Sequence, residues 1–107
     1  MSKFSLSDLE KRIQERARAG AEASYTRKLL DKGIEHCAKK FGEEAVETVI
    51  AATSENRERM IAETGDLLYH LLVLLHARGI GFAEVEATLG ERTAKSGLEE
   101  KASRKRD

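Results

Sequence analysis

An all-α bundle completed by homodimerisation is the fold class this sequence predicts, and three observations predict it. Proline is absent, while Ala, Leu, Glu, Lys and Arg, whose side chains lose little rotamer freedom in a helix, are abundant. Apolar residues recur at three- and four-residue spacings, and no stretch alternates as a half-exposed strand does. The run from Leu67 to Leu75 is apolar nearly all round, more than the single stripes of a few neighbouring helices can cover in a chain of 107 residues. A second copy is expected to supply the missing cover.

The first helix is expected from about Ser7 to Ala19, because Ser5-Leu6-Ser7-Asp8 resembles a capping-box start and Leu9, Ile13 and Ala17 follow at spacings of four before Gly20. Between Gly20 and Gly33 lies a polar connection, read as an ordered functional loop with some helix. It holds Ser24-Tyr25-Thr26, the basic pair Arg27-Lys28, and Leu29-Leu30 directed at the core. The second main helix is expected from about Ile34 to Ala52, with Ile34, Cys37, Ala38, Phe41, Ala45, Val49 and Ala52 on one face and Val46 and Ile50 widening it. The third runs from about Asn56 to Arg78. Gly79 and Gly81 break the chain, and Phe82, Val85 and Leu89 mark a fourth helix ending near Arg92. The tail from Thr93 to Asp107 is polar and basic and reads as a mobile end. The whole is one domain over residues 1–107: an N-terminal helix in 1–23, the helices that carry the chemistry in 24–92, and the tail in 93–107.

Nineteen basic residues balance nineteen acidic ones, so no global field draws the chain to nucleic acid or to an anionic membrane. The N-terminus lacks the apolar core of a signal peptide, and no apolar run approaches the roughly 20 residues of a membrane span. A cytoplasmic chain with no nucleic-acid or membrane partner is expected. The lone cysteine, Cys37, sits on the apolar side of its helix and reads as a buried thiol with no functional role.

Chemistry is concentrated in the acids. The second helix carries Glu43, Glu44 and Glu47; after fifteen intervening residues the third carries Glu63 and Asp66. At 100° per residue Glu44 and Glu47 project within about 60° of each other, as do Glu63 and Asp66, and Glu43 lies about 40° from Glu47. The turn between the helices is short, so they pack antiparallel with both acidic stripes facing one space. An isolated Glu-x-x-Glu is usually a solvated face. Here the acids fill the narrow remainder beside a wide apolar arc and directly precede the all-round apolar run. Carboxylates crowded beside a buried interface repel one another and lose hydration, at a cost of several kcal/mol unless a cation neutralises them. An all-oxygen donor set suits a hard ion such as Mg²⁺, which keeps positions for water and substrate phosphate oxygens. From chemistry alone, the reading is a Mg²⁺-dependent phosphoanhydride hydrolase in which a spare carboxylate takes a proton from the attacking water.

Other side chains near this stripe are candidates for holding the substrate. Lys40 shares the face of Glu44 and Glu47 and suits a phosphate, although an i,i+4 pair with Glu44 is an equally natural use for it. His70, one turn beyond Asp66, suits a hydrogen bond to a ligating carboxylate or a phosphate, against the plainer use as a satisfied core histidine. Lys28 and Arg27 reach phosphates from the loop. His36 and His76 have no partners at metal-ligand spacing and read as structural.

The string from Gly42 to Ala52 (GEEAVETVIAA), followed by the string from Glu63 to Leu75 (ETGDLLYHLLVLL), closely resembles phosphoribosyl-ATP pyrophosphatases, a family of the MazG-like all-alpha nucleotide pyrophosphohydrolases. Ser24-Tyr25-Thr26, Leu29-Leu30, Gly33, Lys39-Lys40 and Ala77-Arg78-Gly79 look like the same family, so the likeness spans roughly Ser24 to Leu89. The acids alone point to the superfamily; the Ser-Tyr-Thr segment with the Asp-Leu-Leu-Tyr-His-Leu run narrows the substrate to phosphoribosyl-ATP. The resemblance implies a MazG-like bundle and hydrolysis to phosphoribosyl-AMP and pyrophosphate, early in histidine biosynthesis. It implies Mg²⁺ on Glu44, Glu47, Glu63 and Asp66, with Glu43 a further ligand or a general base, so that Glu43, Glu44 and Glu47 are the catalytic candidates. Tyr25, Lys28, Lys40 and His70 are then the substrate-binding candidates. A homodimer with the site near its interface is implied as well.

Two other functions fit parts of the pattern. A house-cleaning pyrophosphohydrolase of the same fold would prefer an ordinary or damaged nucleoside triphosphate. A non-catalytic helical dimerisation module would bind no divalent ion specifically and lose nothing on removal of its acids.

Overall fold

The computed structural model describes residues 3–94, which form five helices and, among those residues, no strand. The order is α1 (Leu6–Ala17), α2 (Tyr25–Asp31), α3 (Ile34–Ser54), α4 (Arg57–Ala77) and α5 (Phe82–Thr93). The expected tail lies outside the described residues from position 95 onward.

Each boundary has a local cause. Ser5 caps α1 with a reciprocal box: its hydroxyl accepts from the Asp8 N–H at 3.1 Å, and the Asp8 carboxylate accepts from the Ser5 N–H at 3.0 Å. The helix therefore starts at Leu6, one residue before the sequence expectation. The connection from Gly20 to Gly33 contains a full short helix, α2, because Ser24 serves both neighbours. Its hydroxyl donates to the Arg16 carbonyl at the end of α1 (3.0 Å) and accepts from the Arg27 N–H in the first turn of α2 (3.0 Å). Arg27 adds a second tie, donating from Nη1 to the Ala17 carbonyl at 2.8 Å. At the far end of α4, Gly79 adopts φ +72°, and the Gly79 and Ile80 N–H groups return to the His76 and Leu75 carbonyls at 3.0 and 2.9 Å. That paired return is a Schellman stop, and the positive φ is why glycine stands there.

Helices α3 and α4, 21 residues each, are joined across Glu55 and Asn56 and pack against one another along most of their length. The main core lies toward the other end of the pair. Ile13 of α1, Leu29 of α2, Cys37 of α3 and Leu72 and Val73 of α4 form one buried cluster, with Leu6, Leu9, Leu30, Tyr69 and Leu75 packed around it. Cys37 is 1% exposed, its thiol donates to the Leu29 carbonyl, and burial pushes its pKa up, as expected of a structural thiol. Helix α5 turns from α4 by 108° and buries no residue; its start is tied down where the Phe82 N–H donates to the Glu10 carboxylate at 2.8 Å.

The wide apolar arc of α3 is only partly used within this chain. Val46, Val49 and Ile50, one stripe at i, i+3 and i+4, are 59%, 62% and 47% exposed, and Ile61 on α4 is 59% exposed. Among the described residues, no single helix is long and apolar enough to cross a membrane.

Candidate active site

The middle of the α3–α4 hairpin brings the two acidic stripes together. Thr48 marks the crossing: its hydroxyl lies 2.8 Å from the Glu44 carbonyl on its own helix and 3.3 Å from the Glu63 carbonyl on the other. A small side chain there lets the two backbones approach, and the acids on either side converge. Glu44, Glu63 and Asp66 each offer a carboxylate oxygen, all within 4.8 Å of one another.

These carboxylates lack what buried charge requires. Glu63 is 4% exposed; one oxygen accepts from the Arg59 guanidinium one turn earlier, while Oε1 is buried without a hydrogen-bond partner. Glu44 Oε1 is buried and unpartnered too. Burial pushes the Glu44 carboxyl above its ordinary pKa, and the charges of Glu47 and Asp66 push the same way; Glu63 and Lys40 oppose them. Two orphaned anionic oxygens side by side, with a third beside them, are costly for a folded chain. A divalent cation removes that cost, and three oxygen donors with one exposed side, at Asp66, suit a hard ion that retains open positions.

The remaining acids have other neighbours. Glu47 is exposed and stands outside the convergent trio, beside a small depression shared with Arg59 and Glu63. Glu43 is ion-paired with Lys40 at 3.3 Å. The lysine thus pairs at i,i+3 rather than with Glu44 at i,i+4, because Glu44 is turned in toward Glu63 and Asp66. That pairing holds the Lys40 ammonium above its ordinary pKa.

An aromatic cluster adjoins the acids. Tyr25, 55% exposed, stacks on Tyr69 at 6.4 Å between centroids and an 18° interplanar angle, and meets His70 edge-on at 6.4 Å. The Tyr69 hydroxyl is anchored to Thr26 at 2.6 Å. His70 is buried, and burial with the nearby Lys40 charge holds its pKa below the usual value, against the opposing pull of Asp66 and Glu43. Beyond Tyr25 opens a cleft of about 450 Å³ bordered by Lys28, Asp31, Lys32, His36 and Lys40.

Of the residues singled out in the sequence, Glu44, Glu63 and Asp66 come together, Glu47 and Glu43 flank them, Lys40, Tyr25 and Lys28 line the adjoining cleft, and His70 is buried behind the Tyr25 ring. Two neighbours, Arg59 and Lys32, were not singled out, and a third, His36, was read as structural but stands in the cleft wall. Arg59 was legible as an i,i+4 partner of Glu63. Lys32 and His36 continue the spacing of Lys28, but Gly33 interrupts the helix between them, so no single periodic face announced the group.

A family model described as phosphoribosyl-ATP pyrophosphohydrolase matches residues 6–93. The chain belongs to this family. The phosphoribosyl-ATP pyrophosphohydrolases are hydrolases of pyrophosphate bonds, and the acids of α3 and α4 lie within the matched span. Phosphoribosyl-ATP pyrophosphatase 1 of Bradyrhizobium diazoefficiens is 70% identical over 105 residues, which cover 98% of this chain and 99% of the relative. Its namesake from Rhodopseudomonas palustris is 63% identical over the full length of both chains. The phosphoribosyl-ATP pyrophosphatase of Nitrobacter hamburgensis is 60% identical, again over the full length of both.

Proposed function

We propose that this chain hydrolyses phosphoribosyl-ATP to phosphoribosyl-AMP and pyrophosphate, an early step of histidine biosynthesis, as a single domain with Mg²⁺ held by Glu44, Glu63 and Asp66. The observation that carries the reading is the pair of buried, unpartnered carboxylate oxygens on Glu44 and Glu63 beside Asp66. The full-length likeness to relatives named for this substrate supports the choice of substrate.

When bound, Mg²⁺ supplies positive charge to the phosphoanhydride oxygens that take up charge as the bond breaks. The side chains divide the remaining tasks. Glu47 is the exposed carboxylate nearest the trio and has no ion-pair partner among the described residues, which makes it the acceptor for the proton of the attacking water. Glu43 orients Lys40, which donates to a phosphate oxygen of the triphosphate, and Lys28 offers a cation to the substrate from the adjoining cleft. Tyr25 offers its exposed ring to the base. His70, its pKa held below the ordinary value by burial first and then by Lys40, meets the rings of Tyr25 and Tyr69 edge-on, keeps them in place and offers an N–H to the substrate.

The functional unit in this reading is a homodimer. The exposed stripe of Val46, Val49 and Ile50 with Ile61 supports it, since a patch of this kind on a lone chain would stay wet. Sedimentation at micromolar concentration is expected to give a dimer; a well-folded, active monomer would contradict this.

Product analysis by phosphorus NMR tests the reaction. With phosphoribosyl-ATP, pyrophosphate and phosphoribosyl-AMP are expected in equal amounts, and only with Mg²⁺ or a similar hard ion. Orthophosphate as first product refutes the reading, and a preference for an ordinary nucleoside triphosphate replaces it with the house-cleaning activity.

A further inference from the structure

Phosphoribosyl-ATP differs from a nucleoside triphosphate by a second ribose on the base, and that ribose ends in a phosphate monoester. The substrate therefore has two anionic ends separated by a purine. The acidic centre serves the triphosphate end. We infer that the cleft beyond Tyr25 is the subsite for the distal phosphate monoester, with Lys28 and Lys32 as the charges that select phosphoribosyl-ATP over nucleoside triphosphates; this rests on the function proposed above.

Charge balance within the cleft carries the inference. Asp31, the acid in its wall, is already neutralised by Arg27 at 2.8 Å, and Lys40, paired with Glu43 at 3.3 Å, faces the acidic centre and serves the triphosphate end. Lys28 and Lys32 remain, with no ion-pair partner among the described residues, as two free cations in the wall of one cleft. A phosphate monoester carries about −1.5 to −2 at neutral pH, which two ammonium groups match. His36, half-buried in the same wall, offers a further donor. Lys32 is not needed to finish α2, because the Leu29 and Leu30 carbonyls already accept from the Lys32 and Gly33 backbone N–H groups at 3.2 and 3.0 Å.

Placement agrees with charge. Lys40 borders the cleft and also faces Glu43 and Glu44, so the cleft and the acidic centre are neighbours. Tyr25 stands between them, half its surface open, its ring fixed by Tyr69 and edged by His70. A flat ring at that point suits a purine whose two phosphate-bearing arms leave in opposite directions. An ordinary nucleoside triphosphate would reach the acids and the ring but leave the two lysines unused. Both lysines are exposed, so selection comes from the attraction that the distal phosphate gains and an ordinary nucleoside triphosphate lacks.

Two measurements on the full chain test this. First, ribose 5-phosphate is titrated by calorimetry in chelator, with ribose as the uncharged control. Saturable binding of ribose 5-phosphate but not ribose is expected, at least tenfold weaker in Lys28→Gln/Lys32→Gln. No binding by the wild type, or equal binding by the double variant, overturns the inference. Second, the KM for phosphoribosyl-ATP is compared with the inhibition constant of ATP, which lacks the distal phosphate. In Lys32→Gln the KM is expected to rise at least tenfold more than that constant, with Lys32→Arg restoring most of the difference. Equal weakening of both places the lysines at the triphosphate and overturns it. If the wild type leaves phosphoribosyl-ATP intact, the proposed function fails by itself, and the calorimetric result still decides the cleft.

Discussion

Each half of α4 buries side chains deeply, and to opposite effect. In the C-terminal half, Leu72 and Val73 are 3% and 1% exposed and sit among Ile13, Leu29 and Cys37. In the N-terminal half, Glu63 is 4% exposed and keeps one oxygen with no partner. Burying the first pair contributes roughly 1.5–3 kcal/mol per side chain. Burying the second costs stability that only a cation can return. One helix thus serves as the brace of the fold at one end and as an unsatisfied electrostatic site at the other, and the brace is what keeps the site from relaxing. Variants in each half are expected to separate these roles.

The largest expected effect is on folding. Leu72→Ala is expected to cost about 2–5 kcal/mol through lost burial and a residual cavity, while the affinity for Mg²⁺ stays within a few-fold. Asp66→Ala is expected to do the reverse: turnover falls at least about a hundredfold, Mg²⁺ affinity falls with it, and melting in chelator rises because a repelling charge is gone. Glu47→Gln is expected to lose turnover on a similar scale but to keep Mg²⁺ affinity within a few-fold, since its task is the proton. If Asp66→Ala lowers the metal-free melting temperature as Leu72→Ala does, the comparison fails. Calorimetry for Mg²⁺ and thermal melts with and without chelator supply every reading.

The brace was more legible in the sequence than the site. Periodic apolar positions and local caps located the four main helices to within about two residues, because both signals are local. The same periodicity counted Val46, Val49 and Ile50 with the core, yet this chain leaves them exposed. A helix face announces that it is apolar, not which surface covers it. Convergence of Glu44 with Glu63 and Asp66 was readable because a short turn forces antiparallel packing. The stacking of Tyr25 on Tyr69 was not, since it joins residues 44 positions apart through a helix, α2, that the sequence showed only as a loop with some helix. Lys32 escaped for the same reason, whereas Lys28 and Lys40 were legible from their places beside the motif residues.

A smaller effect is expected from Arg59, whose guanidinium donates to one oxygen of Glu63. Arg59→Met leaves a buried carboxylate without its counter-charge. Because the guanidinium is more than half exposed, the expected cost in chelator is on the order of 1–2 kcal/mol, below the figure for a fully buried pair. Saturating Mg²⁺ is expected to shrink that cost, since the ion takes over the neutralising role, and Mg²⁺ is expected to bind the variant more tightly than the wild type. Equal destabilisation with and without Mg²⁺ would show that Arg59 and the cation do not compete for Glu63.

The smallest expected effect is a pH dependence confined to the acidic half. Glu44 is pushed above the ordinary carboxylate value by burial first, then by Glu47 and Asp66. A carboxyl with a raised folded-state pKa binds its proton more tightly folded than unfolded. Its contribution to stability is therefore complete below the unfolded value, about 4.3, and is lost as pH climbs through the higher folded value. Glu44→Gln fixes the neutral form, so in chelator the variant is expected to melt with the wild type near pH 4 and above it by pH 7. Mg²⁺ is expected to reverse that order at pH 7, because the wild type then gains a bound cation that the variant holds less well. Cys37 titrates at the other end of the scale: its thiol is raised by burial, so its contribution is lost only as pH climbs above the ordinary thiol value, whether or not Mg²⁺ is present. A wild type and Glu44→Gln pair whose melts stay parallel from pH 4 to 7 in chelator would mean that ionising the Glu44 carboxyl costs no more in the folded chain than in the unfolded one, and the contrast between the two halves of α4 would lose its electrostatic side.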